Sequence, residues 1–89
     1  MLFLNNPSNP TGAIYTKEEL IDIANVCLEN NIYILADEIY ERIHYNDNFI
    51  SISSLGDDIK NISIIVNGFS KYAAMTGLRI GYTASSKEI

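Results

Sequence analysis

One cysteine, one histidine and six basic residues among 89 positions leave this sequence short of several kinds of chemistry. Cys27 alone builds neither an internal disulfide framework nor a cysteine-rich zinc site. With His44 the sole histidine, no metal-binding constellation competes for attention. Eleven acids against six bases, a net charge of −5, argue against non-specific binding to nucleic acid or anionic membrane. No apolar run approaches the ~20 residues of a membrane-spanning helix. Met1-Leu-Phe-Leu4 runs straight into Asn5-Asn6-Pro7, without the charged-then-apolar order of a secretion signal. Gly77 and Gly81 lack the GxxxxGK or GxGxxG framework of a phosphate-cradling loop. There is no internal repeat and no low-complexity linker. What remains is a soluble, cytoplasmic reading, with 47% apolar and 19% charged residues in the globular range. The length permits at most one small domain, burying only about 60–65% of its unfolded surface.

The chain alternates short apolar runs with polar loops. Leu2-Phe3-Leu4 predicts a brief strand, stopped by a loop in which Pro7, Pro10 and Gly12 forbid regular structure. Thr16-Lys17-Glu18-Glu19 has the spacing of a capping box, and Leu20, Ile23, Ala24, Cys27 and Leu28 follow at helical spacing. Glu29-Asn30-Asn31 ends that helix. Ile32 to Ala36 is a continuous β-rich run, which suits a strand covered on both faces. A weaker segment runs on to Ser54, and Gly56-Asp57-Asp58 predicts a turn. Ile62 to Val66 is a third strand and Arg79 to Ala84 a fourth. Strands separated by helical or long connections imply an α/β layer with a mainly parallel sheet. The link from Val66 to Arg79 is short for another covered crossover, so the fourth strand should return antiparallel, bringing Arg79 beside Lys71.

In such sheets ligands bind beyond the carboxyl ends of the strands. Those ends carry Asn9, then Asp37 and Tyr40, then Ser70 and Lys71. A lysine near an acid, a tyrosine and an arginine suggests amine chemistry on an anionic cofactor. Lysine forms a Schiff base with an aldehyde when partly deprotonated. A pyridine cofactor needs a carboxylate at its ring nitrogen, and arginine matches phosphate through paired hydrogen bonds. Each residue also has an ordinary reading. Asp37 suits a helix cap, Tyr40 a core tyrosine, Asn9 and Thr11 a turn, and Lys71 and Arg79 solvated surface charges. Cys27 fits the buried face of its helix, Glu18, Glu19 and Asp22 suit the helix dipole, and Tyr15, Tyr72 and Tyr82 suit packing.

Three ordered segments add a resemblance. Asn6-Pro-Ser-Asn-Pro-Thr-Gly12, Asp37-Glu-Ile-Tyr40 and Asn67-Gly-Phe-Ser-Lys-Tyr-Ala-Ala-Met-Thr-Gly-Leu-Arg-Ile-Gly-Tyr82 resemble signatures of class I/II aminotransferases, pyridoxal 5'-phosphate (PLP) enzymes of fold type I. The likeness is to the aspartate/aromatic aminotransferase group and covers essentially the whole chain. It implies that residues 1–89 are part of the PLP-binding large domain, lacking that domain's amino-terminal half and the carboxy-terminal small domain. It also implies transfer of an amino group from an amino acid to a 2-oxo acid by a homodimer.

Carried over by residue, the resemblance makes Lys71 the Schiff-base lysine and the proton carrier. Asp37 would face the pyridine nitrogen, Tyr40 and Asn9 the ring oxygen, and Arg79 with Ser70 the phosphate. Pro10 would follow a cis peptide bond. Leu78 departs from the tryptophan common in that group, an apolar exchange confined to packing. The 89 residues alone are expected to be inactive. Two other readings stand beside this one: a carbon–sulfur β-lyase of the same fold, and a non-catalytic fragment acting by association.

Overall fold

The computed structural model describes residues 1–45 and 48–89. In chain order come β1 (Leu2–Asn5), α1 (Lys17–Glu29), β2 (Ile34–Asp37), α2 (Asp57–Asn61), β3 (Ser63–Gly68) and β4 (Gly81–Ala84). Short 3₁₀ turns occupy Ile52–Ser54 and Thr76–Leu78. The strands lie in the order β1-β2-β3-β4. The first three are parallel, with Leu4 opposite Ala36 and Ala36 opposite Ile65. β4 returns antiparallel to β3, with Gly68 opposite Gly81. This is the α/β arrangement expected of the spacing, antiparallel return included. The weaker segment before Ser54 contains Asn46 and Asp47, which lie outside the described residues.

α1 begins where its capping box places it. The Glu19 N–H donates to Thr16 Oγ1 at 3.2 Å, and the Thr16 N–H donates to Glu19 Oε2 at 2.8 Å. Leu20, Ala24 and Cys27 then fall on one stripe of the helix and are buried. They pack with Leu4, Ile34, Ala36, Ile52 and Ile59 into one core between α1, α2 and the sheet. Burial pushes the Cys27 thiol up, as befits a structural cysteine. Thr16→Ala removes one half of the reciprocal cap and should cost about 1 kcal/mol of stability in urea unfolding.

Two expectations are corrected. Gly56-Asp57-Asp58 opens α2 instead of a simple turn, with Gly56 at φ 157° as its cap and Asp57 and Asp58 in its first turn. Among the described residues the β2 run is covered on one face only. Ile34 and Ala36 are buried against the helices, but Leu35 shares the opposite face with Phe3, which is 75% exposed. That open face also carries Asp37, two residues on from Leu35 in the alternation.

The loop after β1 is held from within. The buried Asn6 accepts the Tyr15 N–H through Oδ1 at 3.1 Å, while its own N–H donates to the Asp37 carbonyl at 3.1 Å. The peptide bonds preceding Pro7 and Pro10 are both cis.

Candidate active site

The polar groups that the sequence places beyond the strands converge at the carboxyl ends of β1, β2 and β3. Asn9 is anchored through its main chain, its N–H donating to Asn5 Oδ1 at 2.8 Å. Its side-chain Nδ2 donates to Tyr40 Oη at 3.0 Å, across 31 positions of sequence. Lys71 Nζ stands 5.6 Å from the centre of the Tyr40 ring. Three segments, following three successive strands, thus meet around one tyrosine.

Asp37 is the last residue of β2. Its Oδ1 accepts the Ile39 N–H at 3.2 Å, the turn-capping bond that an isolated aspartate predicts. Among the described residues no hydrogen bond engages Oδ2, which leaves that oxygen free to accept a proton donor. A hollow of about 240 Å³ lined by Phe3, Asn5, Leu35, Asp37 and Val66 opens on the bare face of the sheet. A larger cleft of about 620 Å³, with Gly12, Tyr15 and Lys17 on one side and Ile43, His44 and Ile50 on the other, is lined by none of the candidate residues.

Lys71 and Arg79 belong to the connection from β3 to β4. Its base is closed by the Gly68–Gly81 pair and by the Phe69 N–H donating to the Ile80 carbonyl at 3.3 Å. Arg79 adopts a left-handed backbone at φ 53°, uncommon for a residue with a side chain. Its Nη1 donates to the Thr76 carbonyl at 2.9 Å, and among the described residues no other hydrogen bond engages the guanidinium fork. Ser70 is half-buried at the start of the same turn. Among the described residues no hydrogen bond joins Ser70 or Arg79 to Asn9, Asp37, Tyr40 or Lys71.

A second contact runs parallel to the first. The Arg42 guanidinium lies 5.2 Å from the Tyr72 ring centre, so the two turns exchange cation–π contacts in both directions. At exposed sites each is worth about 0.5–1 kcal/mol. Tyr72 and Tyr82 flank Phe69 at 5.8 and 6.0 Å, the packing role expected of them.

Gly68 fixes where this connection begins. A Cβ there would meet the Ile80 carbonyl oxygen at 2.9 Å and Gly81 Cα at 3.3 Å. Both are backbone atoms and cannot swing aside. Gly68→Ala should therefore force β4 away from β3, costing about 1–3 kcal/mol in urea unfolding.

Sequence reasoning missed Glu38, Asn5 and Arg42. Glu38 is 3% exposed, and burial raises its pKa from 4.5 to about 7 against the lowering effect of hydrogen bonds from Ser51 and Ile52. The signal available was an acid flanked by the strand end and Ile39, at a position where a solvated charge has no room.

The fold and this cluster define the class. The chain belongs to the aminotransferase class I and II family, a PLP-dependent family whose model matches residues 1–89. It is 51% identical over 89 residues to an aspartate aminotransferase of Bacillus sp. strain YM-2, covering 99% of this chain and 23% of that protein. Among solved structures, a double mutant of Thermus thermophilus aspartate aminotransferase superposes with a TM-score of 0.90 at 41% identity, over 98% of this chain and 22% of that one. A PLP-bound putative aminotransferase from Clostridium difficile 630 superposes with a TM-score of 0.87 at 29% identity, over 97% of this chain and 22% of that one. The chain thus spans about a quarter of the length of the relatives it matches. Among the described residues no helix is long and apolar enough to cross a membrane.

Proposed function

We propose that residues 1–89 form part of the cofactor-binding large domain of an aminotransferase, which moves an amino group from an amino acid to a 2-oxo acid with PLP held by Lys71. The observation that carries this reading is the meeting of Asn9, Tyr40 and Lys71 from three separate segments. The groups present also match the cofactor's chemistry. A primary amine suits its aldehyde, a free carboxylate oxygen its protonated ring nitrogen, a phenol and an amide its ring oxygen, and a guanidinium its phosphate.

When bound, PLP supplies an aldehyde for covalent attachment and a ring that draws electron density from the substrate's α-carbon. Lys71 Nζ would hold the cofactor through its aldehyde and, as a primary amine at that position, would serve as the base and acid that carries the proton. Asp37 Oδ2 holds the proton on the ring nitrogen. Tyr40 Oη and Asn9 Nδ2 orient the ring through its oxygen. Arg79 binds phosphate through the guanidinium donors its Thr76 bond leaves free, with the Ser70 hydroxyl beside it. The homodimer that the family resemblance implies belongs to this same proposal.

Incubation with PLP, borohydride reduction and peptide mapping should place the label on the peptide that carries Lys71. A label on Lys17, Lys60 or Lys87 instead defeats the assignment, as does conversion of an amino acid and a 2-oxo acid without PLP.

A further inference from the structure

We propose that Glu38 is a positioning residue for Asp37 and Tyr40, bracing the turn that carries them against the segment Ser51–Ser54. The inference rests on the reading of those two residues as cofactor contacts and adds a part that reading does not use. Glu38 follows Asp37 directly, yet it is buried on the covered side of the sheet while Asp37 lies on the open one.

The main chain of Glu38 is fixed on both sides. Its N–H donates to the Val66 carbonyl at 2.9 Å, which ties it to β3. Its carbonyl accepts the Glu41 N–H at 2.9 Å, which closes the turn around Tyr40. The side chain reaches the other way. Its Oε1 accepts from Ser51 Oγ at 2.8 Å, and the Ile52 main chain favours the charged form of the same carboxyl group.

The far end is itself held. Ser51 Oγ is 3.0 Å from Ser53 Oγ, the Ser51 carbonyl accepts from Ser54 Oγ at 2.7 Å, and Ile52 is fully within the core. An apolar residue of similar size would fill this space without desolvating an acid. What the carboxyl group adds is a strut from the core to the turn, with Asp37 at one foot and Tyr40 inside the loop it closes.

The test uses the complete protein as its gene encodes it, in wild-type form and as Glu38→Ala, Glu38→Gln, Ser51→Ala and Tyr40→Phe. Absorbance titration with PLP gives a dissociation constant, and a pH titration of the bound absorbance band gives a midpoint. Glu38→Ala should weaken PLP binding about tenfold, as displaced contacts do, and should move the midpoint in the same direction as Tyr40→Phe. Ser51→Ala, which leaves the core intact, should do both to a smaller degree. Glu38→Gln keeps an acceptor for Ser51 and Ile52 and should restore both. The combined Glu38→Ala/Tyr40→Phe variant should lose less than the product of the single losses, because the two act through one contact.

Glu38→Ala and Ser51→Ala proteins that melt earlier but keep the wild-type midpoint and affinity overturn the proposal. So does a Glu38→Gln protein as impaired as Glu38→Ala. A wild-type protein that binds no PLP, or whose midpoint ignores Tyr40→Phe, overturns the cofactor reading and this inference with it.

Discussion

In the complete protein that its gene encodes, Lys71→Ala should abolish the borohydride-stable cofactor adduct and lower kcat by about 10⁴-fold or more, the scale on which a nucleophile that is also the proton carrier is lost. Lys71 is exposed, and its visible contact is with the Tyr40 ring. Losing that contact removes no more than about 1 kcal/mol, so the unfolding midpoint should hardly move. Lys71→Arg separates the two properties of the residue. Arginine keeps the positive charge over the ring but does not deprotonate at working pH, and it forms no such adduct. The arginine variant should therefore bind PLP reversibly and remain as inactive as the alanine variant. Turnover by Lys71→Ala within tenfold of wild type would sink the mechanism, because no residue in the Asn9–Tyr40 cluster replaces a primary amine.

The second large effect is on stability and depends on pH. Glu38 titrates at about 7 in the folded chain against 4.5 as its ordinary value, chiefly because burial disfavours the carboxylate, with the Glu41 charge adding to it. Between those two values the folded protein keeps a proton that the unfolded chain releases. Stability from this group is therefore fully present below pH 4.5, declines as pH rises, and is lost once pH passes about 7. The total is about 3 kcal/mol at about 1.4 kcal/mol per unit. Glu38→Gln does not titrate and keeps the acceptor. In urea unfolding its stability should match wild type near pH 4 and exceed it by about 3 kcal/mol at pH 8. A difference between the two proteins that stays constant from pH 4 to 8 contradicts this account.

Much of the fold is written in local pattern. Thr16 and Glu19 announce the start of α1, and Leu20, Ala24 and Cys27 announce its buried side, because caps and stripes are short-range features. The antiparallel return of β4 follows from too few residues after β3 to build a crossover. α2 escaped because five residues carry no period, and its Gly56-Asp57-Asp58 opening has the composition of a turn. The β2 run misled in a more instructive way. Tyr33 and Leu35 are apolar enough for a covered strand, but a pattern records which side chains favour burial and not what lies over them.

The site divides similarly. Lys71, Tyr40 and Asn9 are unremarkable one at a time, and it was their places after three successive strands, together with the order of three motifs, that pointed to their meeting. Glu38 hid because charged residues are usually solvated, and neither Ser51 nor Ile52 stands near it in sequence. The left-handed backbone of Arg79 leaves no mark on composition at all.

The open face of the sheet carries one further consequence. Asp37 shares it with Phe3, Leu35 and Val66, around the same shallow hollow. Any surface that settles on those apolar side chains must also strip water from the aspartate or offer it a proton donor. A purely oily cover is thereby penalised, and one bearing a cationic ring is rewarded. Covering that face and giving the acid a partner are in this chain a single event.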